Sequence, residues 1–433
     1  MYQVNLGMIG GGTVGSGVFQ ALRRNGALMA SRIGVKVRLT RIAVKAFDEP
    51  QRKVHIPHSY LTTDWTAVVH DPKIHLIAEL AGGTTIARTM VLAALKLGKP
   101  VVTANKALLS AHGEELFAAA QRYGANLYYE ASVAGGIPII KSLREGFVGN
   151  RITHLYGIVN GTCNYILSRM KQEGADFTDV LADAQRQGYA ETPPDLDIDG
   201  HDSLHKIGIL ASLAHGFWVK PRRIYREGIR HISQLDIQFA RQLGYTIKLL
   251  GIVKKAGPRV QVSVYPALVP DSHVLASVNG VFNAVFVRGD VVGDTLFYGR
   301  GAGQDATASA VLSDIADAAL DLKFATKNRR PPFVPHERNG AVLSIDDVIS
   351  RYYLRLSVVD RPGVLARISA ILAKARIGIS SVFQPEGHEG KSVPLILMLH
   401  DAPNAAVTEA LTRIGRLPVV KAPPVMIRVE SFE

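Results

Sequence analysis

Apolar and polar positions follow two alternating periods through the first 135 residues. Val4 to Ile9 is a short apolar run ending in glycines, and Thr13 to Arg24 continues with helical spacing. Val35 to Val44 alternates as a strand, Ile74 to Leu80 reads as a buried strand, and Val101 to Ala104 as another. Thr85 to Leu97 and Ser110 to Tyr123 have the spacing of amphipathic helices, and Asn126 to Glu130 closes the series as a strand. Strands and helices in this alternation predict an α/β fold, a doubly wound parallel sheet with helices on both faces.

From residue 136 the pattern changes. Gly135-Gly136-Ile137-Pro138 opens a helix, and helical segments are expected through Gly216. Strand patterns return at Thr246–Val253, Val260–Pro266 and Val281–Gly289, so residues 136–303 read as an α+β substrate domain. A second glycine run, Gly299 to Gly303, precedes an alanine-rich helix from about Ala306 to Leu322, expected near residues 304–326 to return onto the 1–135 domain. Residues 327–349, with Arg329, Arg330, Pro331, Pro332 and Pro335, have the composition of a linker. Beyond it, residues 350–433 give the order βαββαβ: strand Tyr353–Val359, helix Pro362–Arg376, strands Ile379–Gln384 and Val393–His400, helix Pro403–Arg416 and strand Val425–Val429. That order is the ferredoxin-like arrangement.

Composition narrows the setting. A chain of 433 residues exceeds one core and predicts two or three domains. Its hydrophobic share of 47% and charged share of 20% are those of an ordinary globular protein. No basic segment with an apolar run and cleavage site opens the chain, and no apolar stretch would span a bilayer, so neither signal peptide nor membrane partner is expected. The single cysteine, Cys163, excludes an internal disulfide framework and suits a cytoplasmic location. A net charge of +13 comes from scattered lysines and arginines without a nucleic-acid motif. A positive field that draws in an anionic cofactor is the simpler reading, with no nucleic acid as partner.

Gly10-Gly11-Gly12-Thr13-Val14-Gly15 fits G-x-G-x-x-G between an apolar strand and a helix start, where backbone amides and the helix dipole can hold a pyrophosphate. This is the Rossmann-type dinucleotide fingerprint, in which Gly12 would let the backbone approach the phosphates and Gly15 would let helix and strand pack closely. A ligand-free glycine turn is the alternative. NAD-preferring sites carry an acidic residue at the end of the second strand. Here the strand ends in Ala43-Val44-Lys45, with Asp48 a little later and Arg52 and Lys53 beyond. Lys45 can pair with a 2′-phosphate, which favours NADP; NAD is the alternative.

Three further segments carry chemistry. Val102-Thr103-Ala104-Asn105-Lys106 places a lysine after the C-terminal end of a strand, where open α/β sheets build their sites. Asn160 to Tyr165 is a polar turn entering a helix, and Gly188 to Gly200 is a strongly acidic loop followed by a helix start at His201 to Lys206. Asp202 and Lys206, four apart, share one helix face. His201, Asp202 and His205 admit a zinc reading, but a zinc hydrolase of this style wants glutamate as base, and no third ligand is evident. Cys163 lacks an evident partner base and reads as a small packing residue.

Taken together, the glycine loop, TANK, YYEASVAGGIPII, NGTCNYIL, GYAETPPDLDIDGHDSLHK and GRGAGQDATASAV resemble the homoserine dehydrogenase family over residues 1 to about 320. The resemblance implies interconversion of L-homoserine and L-aspartate 4-semialdehyde by hydride transfer with a nicotinamide, in threonine, methionine and isoleucine biosynthesis. It implies Lys206 as proton donor in aldehyde reduction, with Lys106 beside cofactor and substrate and Asp202 orienting the ammonium. Glu191 would bind the substrate amino group, with Asp197 and Thr162 in the same pocket. Thr103, Lys106 and Gly303 would join Gly10, Gly12, Thr13, Val14, Gly15 and Lys45 in binding the cofactor. The segment holding Glu130, Val133, Gly135 and Ile137 matches one that binds a sodium ion through oxygens in the family; a tight turn with no ion is the alternative. The chain departs from many relatives on the nicotinamide-side loop, at Gln304-Asp305, where a proline is expected. The resemblance also assigns dimerisation to the 136–303 domain and implies a homodimer or homotetramer. The glycine loop begins at residue 10, so no fused kinase domain is expected before it.

Val358-Val359-Asp360-Arg361-Pro362-Gly363-Val364-Leu365 resembles the opening of an ACT domain, over about residues 350 to 433. L-threonine, a downstream product, is the effector this resemblance suggests; a module that only aids dimerisation is the alternative. Two rival functions stand beside the main one: a dehydrogenase for another amino-acid aldehyde, and a catalytically silent amino-acid sensor. The presence of Lys106, Glu191, Asp202 and Lys206 counts against the sensor.

Overall fold

The computed structural model describes residues 1–48, 52, 54–326, 329–385 and 392–432, and the chain divides into two compact units. The first comprises Met1–Val159, Leu204–Arg222 and Phe282–Gly340. Its parallel sheet has six strands in the order Leu61–Thr62, Val35–Ala43, Tyr2–Ile9, Leu76–Glu79, Val101–Thr103 and Leu127–Tyr128. That is the Rossmann order, with the first two crossovers on one side of Tyr2–Ile9 and the rest on the other. Apolar positions of Tyr2–Ile9 are buried against the helices Thr13–Ile33 and Gln304–Lys323 in a core that includes Val4, Leu6, Val18, Ala308, Val311 and Ile315. Gly17 allows those two helices to meet, since a Cβ there would come within 2.8 Å of Gln304.

Several elements differ from expectation. Helix Thr13–Ile33 runs nine residues beyond Arg24 and ends at Gly34, whose φ of 65° makes a left-handed cap. Helix Lys106–Tyr123 begins four residues before Ser110, capped by Asn105, whose side chain accepts from Leu108 N. Within the stretch expected to be helical lies the strand Ile152–Ile158, which pairs antiparallel with Phe282–Gly289; Gly293–Arg300 pairs with the latter in turn. The proline-rich stretch also departs from a free linker. Residues 327 and 328 lie outside the described residues, but Arg144 donates to the carbonyls of Arg330 and Pro331 at 2.8 and 2.7 Å. Phe333 packs on Phe117 and Trp218, and the His336 and Glu337 amides donate to the Gly216 carbonyl.

The second unit comprises Asn160–Ser203, Arg223–Val281 and Ala341–Glu433. A long hairpin, Tyr245–Ala256 with Arg259–Pro270, turns at Gly257. Strand Val425–Val429 runs parallel to Arg259–Pro270 on one side and antiparallel to Ile349–Val359 on the other. Ser392–Pro403 and Ile379–Phe383 follow in the sheet. The last four strands, in order 4-1-3-2, with helices Val364–Lys374 and Asn404–Gly415, form the ferredoxin-like ACT fold. Alternate residues of Ile349–Val359 face those helices, so Leu354, Leu356, Val358, Ile368, Leu372 and Ile414 make one core.

The hairpin carries an unusual buried ammonium. Lys248 is 1% exposed and donates to the Val278 carbonyl and to the side-chain oxygens of Asn164 and Asn279 at 3.1 and 3.2 Å. Burial pushes it down to about 7, with repulsion from Lys171 in the same direction. The unfolded chain, with an ordinary lysine near about 10.4, therefore binds more protons between the two values. Stability rises with pH across that window and is lost as pH falls towards 7. Denaturant titrations at pH 7 to 9.5 should show this rise in the wild-type protein and a flatter profile in Lys248→Met.

Candidate functional site

The first unit sets a tight glycine turn at the N-terminus of a helix. Gly10 has φ of 107°, and a Cβ there would lie 2.5 Å from the Leu80 carbonyl carbon. A Cβ on Gly15 would meet the Gly10 oxygen at 2.1 Å, whereas nothing lies within 4 Å of the corresponding position on Gly12. Gly12 is the N-cap of Thr13–Ile33, with no side-chain cap and no acidic residue in the first turn. The glycines thus tighten the turn and leave open space at a helix N-terminus, which fits an anionic dinucleotide. Lys45 is exposed just past strand Val35–Ala43. Arg52 lies against the glycine loop, donating to the carbonyls of Gly11 at 3.4 Å and Ala46 at 3.2 Å. Lys53 lies outside the described residues.

At the C-terminal ends of the sheet strands sits a buried carboxylate that the sequence reading passed over. Glu79, 0% exposed, accepts from Thr103 Oγ1 at 2.7 Å and from the amides of Ala81 and Gly82 at 3.0 and 3.1 Å. Burial raises its pKa, opposed first by the Thr103 bond and then by the amides. Thr103 Oγ1 accepts in turn from Asn105 N, and Asn105 Nδ2 donates to the Gly83 carbonyl. This chain fixes the turn from which Lys106 starts its helix. The one signal for it in the sequence is an acidic residue ending an otherwise apolar strand.

Lys206 is buried, and its ammonium donates to the Val159 carbonyl at 2.6 Å. Its neighbour His205 bonds through Nδ1 to Ser110 Oγ at 2.9 Å, one turn along the helix from Lys106. Gly113 allows close approach on the same helix, since a Cβ there would be 2.4 Å from the Trp218 ring.

The second unit gathers two acidic residues around Asn160. Its Nδ2 donates to Asp197 Oδ1 at 2.8 Å and to Asp202 Oδ2 at 3.0 Å, while its Oδ1 accepts from Cys163 N and caps the helix Gly161–Glu173. Thr162 Oγ1 donates to the Tyr189 carbonyl at 2.5 Å and lies 3.3 Å from Asp197 Oδ2. Cys163 is buried, with Sγ 3.2 Å from the Asp197 carbonyl. Glu191 stands on the exposed part of the acidic loop, outside the Asn160 cluster, its carbonyl accepting from Gln185. Arg230 bridges Asp195 and Asp199, and its hydrogen bond holds Asp199 below the usual carboxylate range.

The turn 130–137 is tightly held. Ala134 and Gly135 have φ of 57° and 52°, and a Cβ on Gly135 would lie 2.5 Å from the Gly301 carbonyl oxygen. The Gly136 amide donates to the Arg300 carbonyl at 3.0 Å, so Gly135-Gly136 packs against the run Gly299 to Gly303. The Glu130 carboxylate accepts from the amides of Ile140 and Lys141 at 2.9 and 2.7 Å. The Val133 amide lies 3.5 Å from the Glu130 carbonyl, a long contact that leaves this oxygen weakly engaged. A hard cation bound by backbone oxygens fits such a turn. Among the described residues, no group of three or more His, Cys, Asp or Glu side chains is placed to hold a metal. Gly303 has φ of 116° and starts the helix Gln304–Lys323 without a side-chain cap, so Gln304-Asp305 is accommodated as its first turn.

Comparison with known proteins bears on what this arrangement does. Residues 10–130 match the NAD-binding domain of homoserine dehydrogenase, 138–316 match homoserine dehydrogenase itself, and 352–416 match the ACT domain. The homoserine dehydrogenase of Pseudomonas aeruginosa is 43% identical over 436 residues, with all of both chains covered. The crystal structure of a homoserine dehydrogenase from Thiobacillus denitrificans is 42% identical and superposes with a TM-score of 0.93, covering 100% of this chain and 99% of that one. A hyperthermophilic archaeal homoserine dehydrogenase in complex with NADPH is 27% identical with a TM-score of 0.61, covering 74% of this chain and 98% of that one.

Asn160 gives the sharpest test of the acidic cluster. In Asn160→Asp the cap oxygen remains, but a third carboxylate replaces the shared donor. Asn160→Ala loses the cap as well, at a cost of about 1 kcal/mol. Activity should fall in both variants. Thermal unfolding midpoints should fall in both variants, and further in Asn160→Asp, which sets three carboxylates side by side where an amide had served two.

Proposed function

The chain belongs to the homoserine dehydrogenase family of NAD(P)-dependent oxidoreductases, and we propose how its residues share the interconversion of L-homoserine and L-aspartate 4-semialdehyde. When bound, the nicotinamide cofactor supplies or accepts the hydride. Gly10, Gly12, Thr13, Val14 and Gly15 hold its phosphates, and Thr103, Lys106 and Gly303 line the rest of its site. Lys206 donates the proton to the substrate oxygen as the aldehyde is reduced, and takes it back in the reverse direction. Its carbonyl partner at Val159 supports this role: an ammonium that donates to a neutral oxygen in a buried place can donate equally to a developing alkoxide.

Lys106 adds a second cationic donor, and Asp202, four residues before Lys206 on the helix His201–His215, orients the Lys206 ammonium. Asp197, steadied by Asn160 and Thr162, and Glu191 receive the substrate ammonium. The exposed Lys45 and the loop-bound Arg52 favour NADP over NAD, because both are positive where a 2′-phosphate would extend. The archaeal relative holding NADPH supports the same choice. Carbonyl oxygens of Glu130, Val133, Gly135 and Ile137 would hold sodium and brace the turn. L-threonine would act at the ACT turn Asp360–Gly363 of a cytoplasmic homodimer or homotetramer.

Oxidation of L-homoserine, followed at the nicotinamide absorbance with NADP and NAD in parallel, tests these roles. Wild-type protein should turn over with the lower KM for NADP. Lys206→Ala should lose about 10²- to 10⁴-fold in kcat while NADPH fluorescence still reports binding. Charge reversal at Lys45 and Arg52 together should raise the KM for NADP by roughly tenfold or more, leaving that for NAD little changed. Folded protein without turnover on either cofactor would return the amino-acid sensor.

A further inference from the structure

Within the second unit, the segment Tyr225–Arg230 stands between the acidic loop and the C-terminal ACT module. Towards the loop, the Ile229 amide donates to the Ile198 carbonyl at 2.8 Å, and Arg226 donates to the carbonyl of Asp199. Gly228 is pressed so closely that a Cβ would lie 2.2 Å from the Ile198 oxygen. Arg230 adds its bridge to Asp195 and Asp199. That bridge is half-exposed and contributes little by itself; the backbone contacts fix the loop only as well as the segment is itself fixed.

What fixes the segment comes from the other side. The Glu227 amide donates to the Val264 carbonyl at 2.8 Å, and the Glu227 carboxylate accepts from Arg428 at 2.9 Å. Arg428, on strand Val425–Val429 of the ACT module, is 1% exposed. It also donates to Asn404 Oδ1 at 2.7 Å, and its guanidinium lies 5.0 and 4.6 Å from the rings of Tyr225 and Tyr265. A buried guanidinium with a carboxylate, an amide and two aromatic faces around it has one geometry, and breaking the pair would strand a charge in the interior.

We propose that Tyr225–Arg230 is a clasp that positions the acidic loop for the substrate, with Arg428 of the ACT module as the positioning residue behind it. The proposal rests on the reading that Asp197 in that loop receives the substrate ammonium. The ACT module thereby contributes to substrate affinity in the absence of any effector.

The test is steady-state kinetics on the full-length protein, with thermal unfolding to show that each variant is folded. Glu227→Gln breaks the pair. The double variant Glu227→Met with Arg428→Met removes both charges and leaves no unpaired one buried. The clasp predicts a KM for L-homoserine raised about fivefold or more, with the KM for NADP unchanged and kcat within about twofold. Should the double variant not fold, Glu227→Gln carries the comparison. An unchanged KM for L-homoserine in folded variants overturns the proposal. So does a loss shared equally by kcat and both KM values, which marks a general structural defect. Asp197→Asn, assayed alongside, separates the two layers: if it too leaves the KM for L-homoserine unchanged, the pocket assignment has failed and the clasp falls with it. If it raises that KM while the clasp variants do not, only the clasp has failed.

Discussion

Two carboxylates of like charge, Asp197 and Asp202, share the side-chain amide of Asn160 at 2.8 and 3.0 Å. Each amide hydrogen serves one of them, and the amide oxygen is committed to starting the next helix at Cys163 N. Neither aspartate's position is independent of the helix cap. Aspartate would reverse the sign of the donor, and alanine would remove donor and cap together. The residue before Asn160 is Val159, whose carbonyl receives the Lys206 ammonium.

The same rule governs the other buried charges: each is met by partners that leave its position little freedom. Glu79 spends its acceptors on Thr103 and two loop amides. Asp236 caps its helix with Ser233 and takes a bidentate pair from Arg355 of the ACT module. Arg428 on the last strand and Glu430 just past its end reach Glu227, Tyr265 and Lys254. Both of these ACT arginines find carboxylates on the preceding part of the same unit. The module is joined to the rest of its unit by buried charge pairs and by strand pairing along one sheet.

Legibility in the sequence followed locality. Five of the six Rossmann strands and the ACT order were readable because their apolar runs are short, well bounded and regularly spaced; the two-residue edge strand Leu61–Thr62 was too short to leave a period. Strand Gly293–Arg300 was not, because Leu296, Phe297 and Tyr298 put apolar residues on both faces and blur the period of two. Ile152–Ile158 was hidden by its histidine, tyrosine and glycine, and the end of the first helix by Arg24-Asn25-Gly26, which resembles a terminator. In the site, Thr103, Lys106, Asp197, Asp202 and Lys206 stood in motifs. Their supports did not: Glu79 lies 24 residues from Thr103, and Arg428 lies 201 residues from Glu227. Periodicity carries no signal for partners that only the fold brings together.

The central claim, that the Lys206 ammonium delivers the proton, is met most directly by chemical rescue. Single-turnover reduction of L-aspartate 4-semialdehyde by pre-bound NADPH would be timed in Lys206→Ala, with and without methylamine. The rate should be greatly reduced in buffer, partly restored by methylamine and not by sodium chloride at equal ionic strength, with the recovery varying with amine pKa across a small series. A single-turnover rate in Lys206→Ala equal to that of the wild-type protein would contradict it.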